Sequence, residues 1–172
     1  MQERTGQFTF GGTPFTMVGP ELKVGDFAPE FELADNDLKP FKLSSLAGKT
    51  VILSVVSSLD TATCDIETRR FNQEAEKLGR EVSILTISMD LPFAQKRWCG
   101  TAGVTRVKTL SDYKEAGFGK AYWVLIKELH LHARTVFVVD SKGIIRYIQR
   151  VKEGSHEPDY KDVLDAVAKT VE

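Results

Sequence analysis

The stretch Val51-Ile52-Leu53-Ser54-Val55-Val56, continued by Ser57-Ser58-Leu59-Asp60-Thr61-Ala62-Thr63-Cys64 and then Asp65 to Leu78, decides the fold. Its first six residues form an apolar, β-branched run of strand length. The middle is a polar connection. The last part reads as a helix over Asp65–Leu78, with Ile66, Phe71 and Ala75 on or near one face. A second apolar run, Val82-Ser83-Ile84-Leu85-Thr86-Ile87-Ser88, follows. A right-handed crossover through the helix lays it parallel to the first strand, which makes one βαβ unit. Cys64 therefore stands between a strand and the opening of a helix. There its thiol meets unsatisfied backbone N–H groups and the positive end of the helix dipole, which favours the nucleophilic thiolate. The chain has 2 cysteines, the other being Cys99 in Arg97-Trp98-Cys99-Gly100. One nucleophile and one possible resolving partner account for all its sulfur chemistry.

Outward from this unit, Phe8-Thr9-Phe10 and Phe15-Thr16-Met17 flank Gly11-Gly12-Thr13-Pro14 and predict an N-terminal β-hairpin at about residues 7–18. Lys23 to Leu46 carries Gly25, Pro29, Asn36-Asp37 and Pro40. It is read as irregular, with short strands around Phe31–Leu33 and Phe41–Leu43. Beyond Ser88, a helix is expected from about Pro92 to Gly100, with proline at an early position where its missing N–H costs nothing. A short strand near Val107–Leu110 and a short helix at Asp112–Gly117 come next, Asp112 reading as a helix cap. Thr135–Asp140 and Ile144–Gln149, joined by Ser141-Lys142-Gly143, form an antiparallel hairpin. The last helix, Pro158–Val171, turns Tyr160, Val163, Leu164, Val167 and Val171 toward the core. The expected class is α/β: a mixed central sheet flanked by helices, with residues 1–172 as one domain.

The 172 residues are 42% apolar and 27% charged, ordinary for a soluble globular protein and unlike disordered or fibrous chains. A net charge of −1 leaves no basic excess for nucleic acid. No apolar run approaches the roughly 18 residues that span a bilayer, and the first residues lack a signal-peptide pattern, so a cytoplasmic location is expected. Two cysteines are too few for a disulfide framework, so a bond between them would be catalytic rather than structural. His130 and His132 alternate along a possible strand. Without a third ligand they read as a solvent-facing alternation, and no metal is expected.

Long runs of this sequence resemble the peroxiredoxins, and within them the thiol peroxidase subfamily of atypical two-cysteine enzymes. They are Phe10-Gly11-Gly12, Val24-Gly25-Asp26-Phe27-Ala28-Pro29, Ser58–Cys64, Thr68-Arg69-Arg70-Phe71-Asn72, Ser88–Gly100 and Ala133-Arg134-Thr135-Val136-Phe137-Val138-Val139-Asp140. Met89 to Cys99 is the most specific, since it carries the subfamily's resolving cysteine. The resemblance implies a thioredoxin-like fold, a homodimer, and reduction of hydrogen peroxide and organic hydroperoxides with thioredoxin as reductant. It further implies that Cys64 is the peroxidatic residue, that Cys99 closes an intramolecular disulfide with it, and that Arg134 stabilises the thiolate and polarises the peroxide bond. Neither metal nor organic cofactor is required.

The residue chemistry agrees. Thr61, three residues before Cys64, can turn its hydroxyl toward the same side as the sulfur and orient a peroxide, or it can cap the helix, and the two roles are compatible. A guanidinium at position 134 stays charged and offers a rigid fork of donors, although an arginine on a strand is commonly a surface charge. A redox sensor that uses the same disulfide to engage a partner, without turnover, is the alternative reading. Two positions depart from the family pattern. Ser57 stands where peroxiredoxins carry proline. It restores an N–H and backbone freedom, so a looser loop is expected, and where the native backbone suits proline Ser57→Pro would stabilise by roughly 0.4–1 kcal/mol. Trp123 stands where the subfamily has glycine.

Overall fold

In the computed structural model, which describes residues 1–171, the stretch around Cys64 lies at the middle of a seven-stranded mixed sheet. The strand order is β11 (Ile145–Arg150), β10 (Thr135–Val139), β5 (Thr50–Val55), β6 (Val82–Ser88), β7 (Lys108–Ser111), β3 (Glu32–Ala34), β4 (Pro40–Lys42). β5, β6 and β7 run parallel, as the crossover rule requires, and the outer pairs are antiparallel. Every residue of β5 is buried, because both faces of the sheet are covered. Leu53, Val55, Leu85, Ile87 and Phe137 pack on one side with Phe118 and Tyr122, at α3 (Gly117–Ala121). Ile52, Ile84, Val136 and Val138 pack on the other with Phe71 of α1 (Ala62–Leu78) and with Val163 and Val167 of α4 (Tyr160–Thr170).

Several local expectations are corrected. Helix α1 starts at Ala62, so Cys64 lies inside its first turn, and Ile66 is half exposed. The buried face is Cys64, Glu67, Thr68, Phe71 and Glu74, offset by one position because a buried ion pair, not an aliphatic side chain, occupies the core beneath the first turn. The segment after Asp112 is a turn, and α3 begins only at Gly117. The Asp112 carboxylate nevertheless caps it, accepting from the Phe118 and Gly119 N–H groups at 3.1 and 2.9 Å. Helix α4 is capped by Asp159, which accepts from Asp162 N–H at 3.0 Å, and Val171 lies beyond it, 48% exposed.

The hairpin is longer than its sequence suggests. β1 (Glu3–Phe10) and β2 (Thr13–Val18) join β8 (Leu125–Ile126) and β9 (Leu131–His132) in a second, four-stranded sheet. Gly11 and Gly12 both take positive φ, as the tight two-residue turn demands. The hairpin docks on the segment after β11. Thr9 N–H donates to the Lys152 carbonyl at 2.7 Å, and Gly154 N–H to the Thr9 carbonyl at 2.8 Å. The rings of Phe8 and Phe10 cover Gly154 so closely that a Cβ there would lie 2.7 and 2.9 Å from them.

His130 and His132 do not share a strand face. His130 is exposed in a turn at φ 53°, whereas His132 is fully buried, its Nε2 2.9 Å from the Asp112 carboxylate. Trp123 sits at φ 55°, the left-handed region that suits glycine. Its ring is nonetheless buried among Phe8, Met17, Ile126 and Ala133, with the Arg150 guanidinium 4.7 Å from the ring centroid. Among the described residues, no helix is long and apolar enough to cross a membrane, and no group of three or more His, Cys, Asp or Glu could hold a metal ion.

Candidate active site

The site is built on the loop between β5 and α1. Thr61 is the N-cap of α1, in extended conformation; its hydroxyl accepts from Cys64 N–H at 3.3 Å and donates to the Ser58 carbonyl at 2.9 Å. Both bonds hold Cys64 in the first helical turn, at the positive end of the helix. The thiol is completely buried, and Arg134 Nη2 donates to its Sγ at 3.4 Å.

Arg134 lies just ahead of β10, which pairs with β5 and so brings the guanidinium beside Cys64. It is 1% exposed. Its fork has three acceptors: Cys64 Sγ, the Gly154 carbonyl at 2.7 Å, and Glu67 Oε1, reached by Nη1 at 3.3 Å. Burial opposes its charge, but Glu67 and Cys64 more than offset this and hold its pKa above the usual arginine value. Gly154, pinned by the hairpin rings, therefore aims one carbonyl at the guanidinium. The N-terminal hairpin is part of what orients the site.

Sequence reasoning missed Glu67. It lies one turn after Cys64, on the same buried face, and its second oxygen accepts from Ser54 Oγ at 2.7 Å. Burial pushes its pKa up to about 7, against the attraction of Arg134 and the Ser54 hydroxyl. The three-residue spacing from the cysteine was the available signal; nothing in the sequence said that the guanidinium opposite would be Arg134. Because the folded pKa is raised, the folded protein holds a proton that the unfolded chain has released between pH 4.5 and about 7. Stability from this group must fall as pH rises through that window, by on the order of 3 kcal/mol. Glu67→Gln, which keeps an acceptor for Arg134 and can donate to the Ser54 hydroxyl in place of accepting from it, removes the titration and is expected to flatten the decline in melting temperature between pH 5 and 7. An unchanged pH profile would show that Glu67 titrates normally.

Asp90, also missed, ties the loop to the end of β6. Its carboxylate accepts from Ser58 Oγ at 2.6 Å, Leu59 N–H at 2.8 Å and Ser88 Oγ at 2.7 Å. Ser57 does not loosen this loop. It is 1% exposed, and its Oγ donates to the His132 carbonyl at 2.7 Å, binding the loop to β9 two residues from Arg134. The expected gain from proline is thereby reversed: Ser57→Pro removes a buried hydrogen bond and leaves a carbonyl short of a donor, for a loss of about 1–3 kcal/mol. Thermal unfolding of Ser57→Pro beside Ser57→Ala checks this, and a stabilised proline variant would contradict it.

Cys99 lies on α2 (Pro92–Ala102), half-buried, with its Sγ 3.5 Å from Thr109 Oγ1, whose hydroxyl in turn donates to Asn36 Oδ1 at 2.7 Å. The structure thus brings Thr61, Cys64 and Arg134 together and leaves Cys99 apart. Both cysteines are free thiols, outside disulfide reach of one another.

A buried thiol at a capped helix start, facing a buried arginine, can support attack on a polar, cleavable bond such as that of a peroxide. Comparison with known proteins points the same way. The redoxin family model matches residues 23–164. Thiol peroxidase from Oceanobacillus iheyensis is 53% identical over 161 residues, covering 94% of this chain and 98% of that protein. Thiol peroxidase from Bacillus subtilis is 50% identical over 160 residues, covering 93% and 95%. The chain belongs to the thiol peroxidases of the redoxin family. The crystal structure of a peroxiredoxin-like protein from Aquifex aeolicus shares the fold at a TM-score of 0.90 and 36% identity, over 96% of this chain and 98% of that one. The thioredoxin-like architecture with an N-terminal hairpin is accordingly that of the redoxin family.

Proposed function

We propose that the protein reduces hydrogen peroxide and organic hydroperoxides through Cys64. The observation that carries this reading is the 3.4 Å contact between Arg134 Nη2 and Cys64 Sγ at a capped helix start. The guanidinium stabilises the thiolate and then the negative charge that develops on the leaving oxygen. Thr61 holds the first turn through its cap, and its hydroxyl orients the peroxide by exchanging the Ser58 carbonyl for a peroxide oxygen. Attack by the thiolate on one peroxide oxygen breaks the O–O bond, giving a Cys64 sulfenic acid and, after protonation, water or an alcohol. Cys99 then attacks the sulfenic sulfur to form the Cys64–Cys99 disulfide and release water. A dithiol protein of thioredoxin type reduces that disulfide, and the working unit is a homodimer.

The test is a coupled assay with thioredoxin, thioredoxin reductase and NADPH, using hydrogen peroxide and an alkyl hydroperoxide. Sustained NADPH oxidation supports the peroxidase reading. A single stoichiometric oxidation that then stops supports the redox-sensor reading instead. Sedimentation of the reduced protein tests the dimer.

A further inference from the structure

The residues next to the two cysteines hold on to each other. Asp65, which follows Cys64, accepts through Oδ2 from the indole Nε1–H of Trp98, which precedes Cys99, at 2.9 Å. Its other oxygen accepts from Arg69 Nε at 2.6 Å. Arg69 in turn lies over the Trp98 ring, 5.6 Å from the centroid, and reaches the Ala102 carbonyl at 3.5 Å. Asp65 and Arg69 belong to α1, Trp98 and Ala102 to α2, so three side chains join the first turns of one helix to the second half of the other. The indole also packs against the cluster of Val56, Leu59 and Cys64. Cys99 meanwhile turns toward Thr109 and Asn36, while Cys64 faces Arg134. Trp98 is thus held beside Cys64 and one residue from Cys99, tied to the first turn of α1. A disulfide requires Cα atoms within roughly 7 Å and the two cysteines lie outside that reach, so the segments of α1 and α2 that the Asp65–Trp98 bond ties together must shift before it can form.

We infer that Asp65, Arg69 and Trp98 form a latch that times the resolving step. This rests on the reading of Cys99 as the resolving cysteine. The latch withholds Cys99 until the first turn of α1 and the Cys99 segment of α2 open. The step it delays is balanced: the Cys99 thiol attacks the sulfenic sulfur, the S–S bond forms as the S–OH bond breaks, and the hydroxyl leaves with the thiol proton as water. During the delay a second peroxide can oxidise the sulfenic acid to sulfinic acid, giving up its own oxygen and leaving as water or alcohol. Latch strength thus sets the partition between turnover and inactivation. Asp65, Arg69 and Trp98 are positioning residues, since they act on the spacing of the cysteines and not on the peroxide.

The experiment compares the full chain with Trp98→Phe, Asp65→Ala and the double variant. Trp98→Phe keeps an aromatic ring in the cluster while removing the donor to Asp65. Each reduced protein is mixed with hydrogen peroxide, quenched with a thiol-blocking reagent at increasing times, and its sulfenic, sulfinic and disulfide forms are counted by mass spectrometry. Disulfide formation should be several-fold faster in each single variant, and no faster in the double than in Asp65→Ala alone, because Asp65→Ala already breaks the bond that Trp98→Phe removes. The sulfinic fraction at high peroxide should fall by a similar factor, while appearance of the sulfenic acid changes less than twofold. Unchanged or slower disulfide formation in Trp98→Phe, or fully additive effects, would overturn the latch while leaving Cys99 as resolving residue. Absence of any Cys64–Cys99 disulfide in the parent protein would overturn that reading, and the latch with it. Hydrogen exchange along β5 and β6, expected to match the parent, guards against general destabilisation: loss of protection there together with faster disulfide formation would count against a local latch.

Discussion

Cys64→Ser is expected to consume no peroxide above background, and Cys99→Ser to consume about one equivalent, or two when the sulfenic acid is itself oxidised, and then stop. The difference follows from where the two sulfurs lie. Cys64 has the helix start and the guanidinium; Cys99 has a threonine hydroxyl at 3.5 Å and, among the described residues, no cation within hydrogen-bond reach of its sulfur. A serine hydroxyl at position 64 cannot replace the thiolate, because it remains protonated at neutral pH beside the same arginine. The loss should exceed the effect of any other substitution. Thioredoxin-linked turnover, measured by NADPH oxidation, and thiol counting after one addition of peroxide check both variants. Sustained turnover by Cys99→Ser would take Cys99 out of the cycle.

Arg134→Met should lower the rate of Cys64 oxidation by about 10²–10³, the loss typical when a preorganised donor to a developing negative charge is removed. It should also destabilise the fold, since Glu67 is left in the core facing no cation; breaking a buried pair on one side costs about 3–5 kcal/mol. These two effects separate in the double variant Arg134→Met, Glu67→Gln. Removing the carboxylate's charge should restore most of the stability and none of the rate. Denaturant unfolding and single-turnover oxidation provide the two readouts. Recovery of the rate along with the stability would mean that Arg134 acts only by holding the fold. Arg134→Lys keeps a charge but loses the fork, and one ammonium cannot serve Cys64, Glu67 and Gly154 in the guanidinium's geometry. Its rate should fall between those of the parent and of Arg134→Met.

Much of this arrangement is written locally. The run from Val51 to Leu78 specifies a buried strand, a polar loop and a helix, because apolar periodicity and a capping threonine act between residues a few positions apart. Parallel pairing of Val51–Val55 with Ser83–Ile87 follows from the handedness of the crossover, and the Gly11-Gly12 turn and the antiparallel pair β10–β11 follow from short connections. Cys64 and Thr61 were legible for the same reason, since their relation is one turn of helix. Beyond the Arg134–Cys64 contact, which the family resemblance implied, the side-chain partners that distant segments supply were not legible. Which face of α1 is buried depended on Arg134, 67 residues from its partner Glu67, so Ile66 was misplaced and Glu67 overlooked. Ser57 gained its partner from His132, 75 residues away, so a position that promised slack became a tie. Trp123 found room at a positive φ because the hairpin and Arg150 close around its ring. Local propensity determines what each segment becomes. The charge of a buried group, the partner of a buried hydroxyl and the distance between two cysteines are decided only when tertiary packing excludes water and leaves each polar atom the neighbours that the fold supplies.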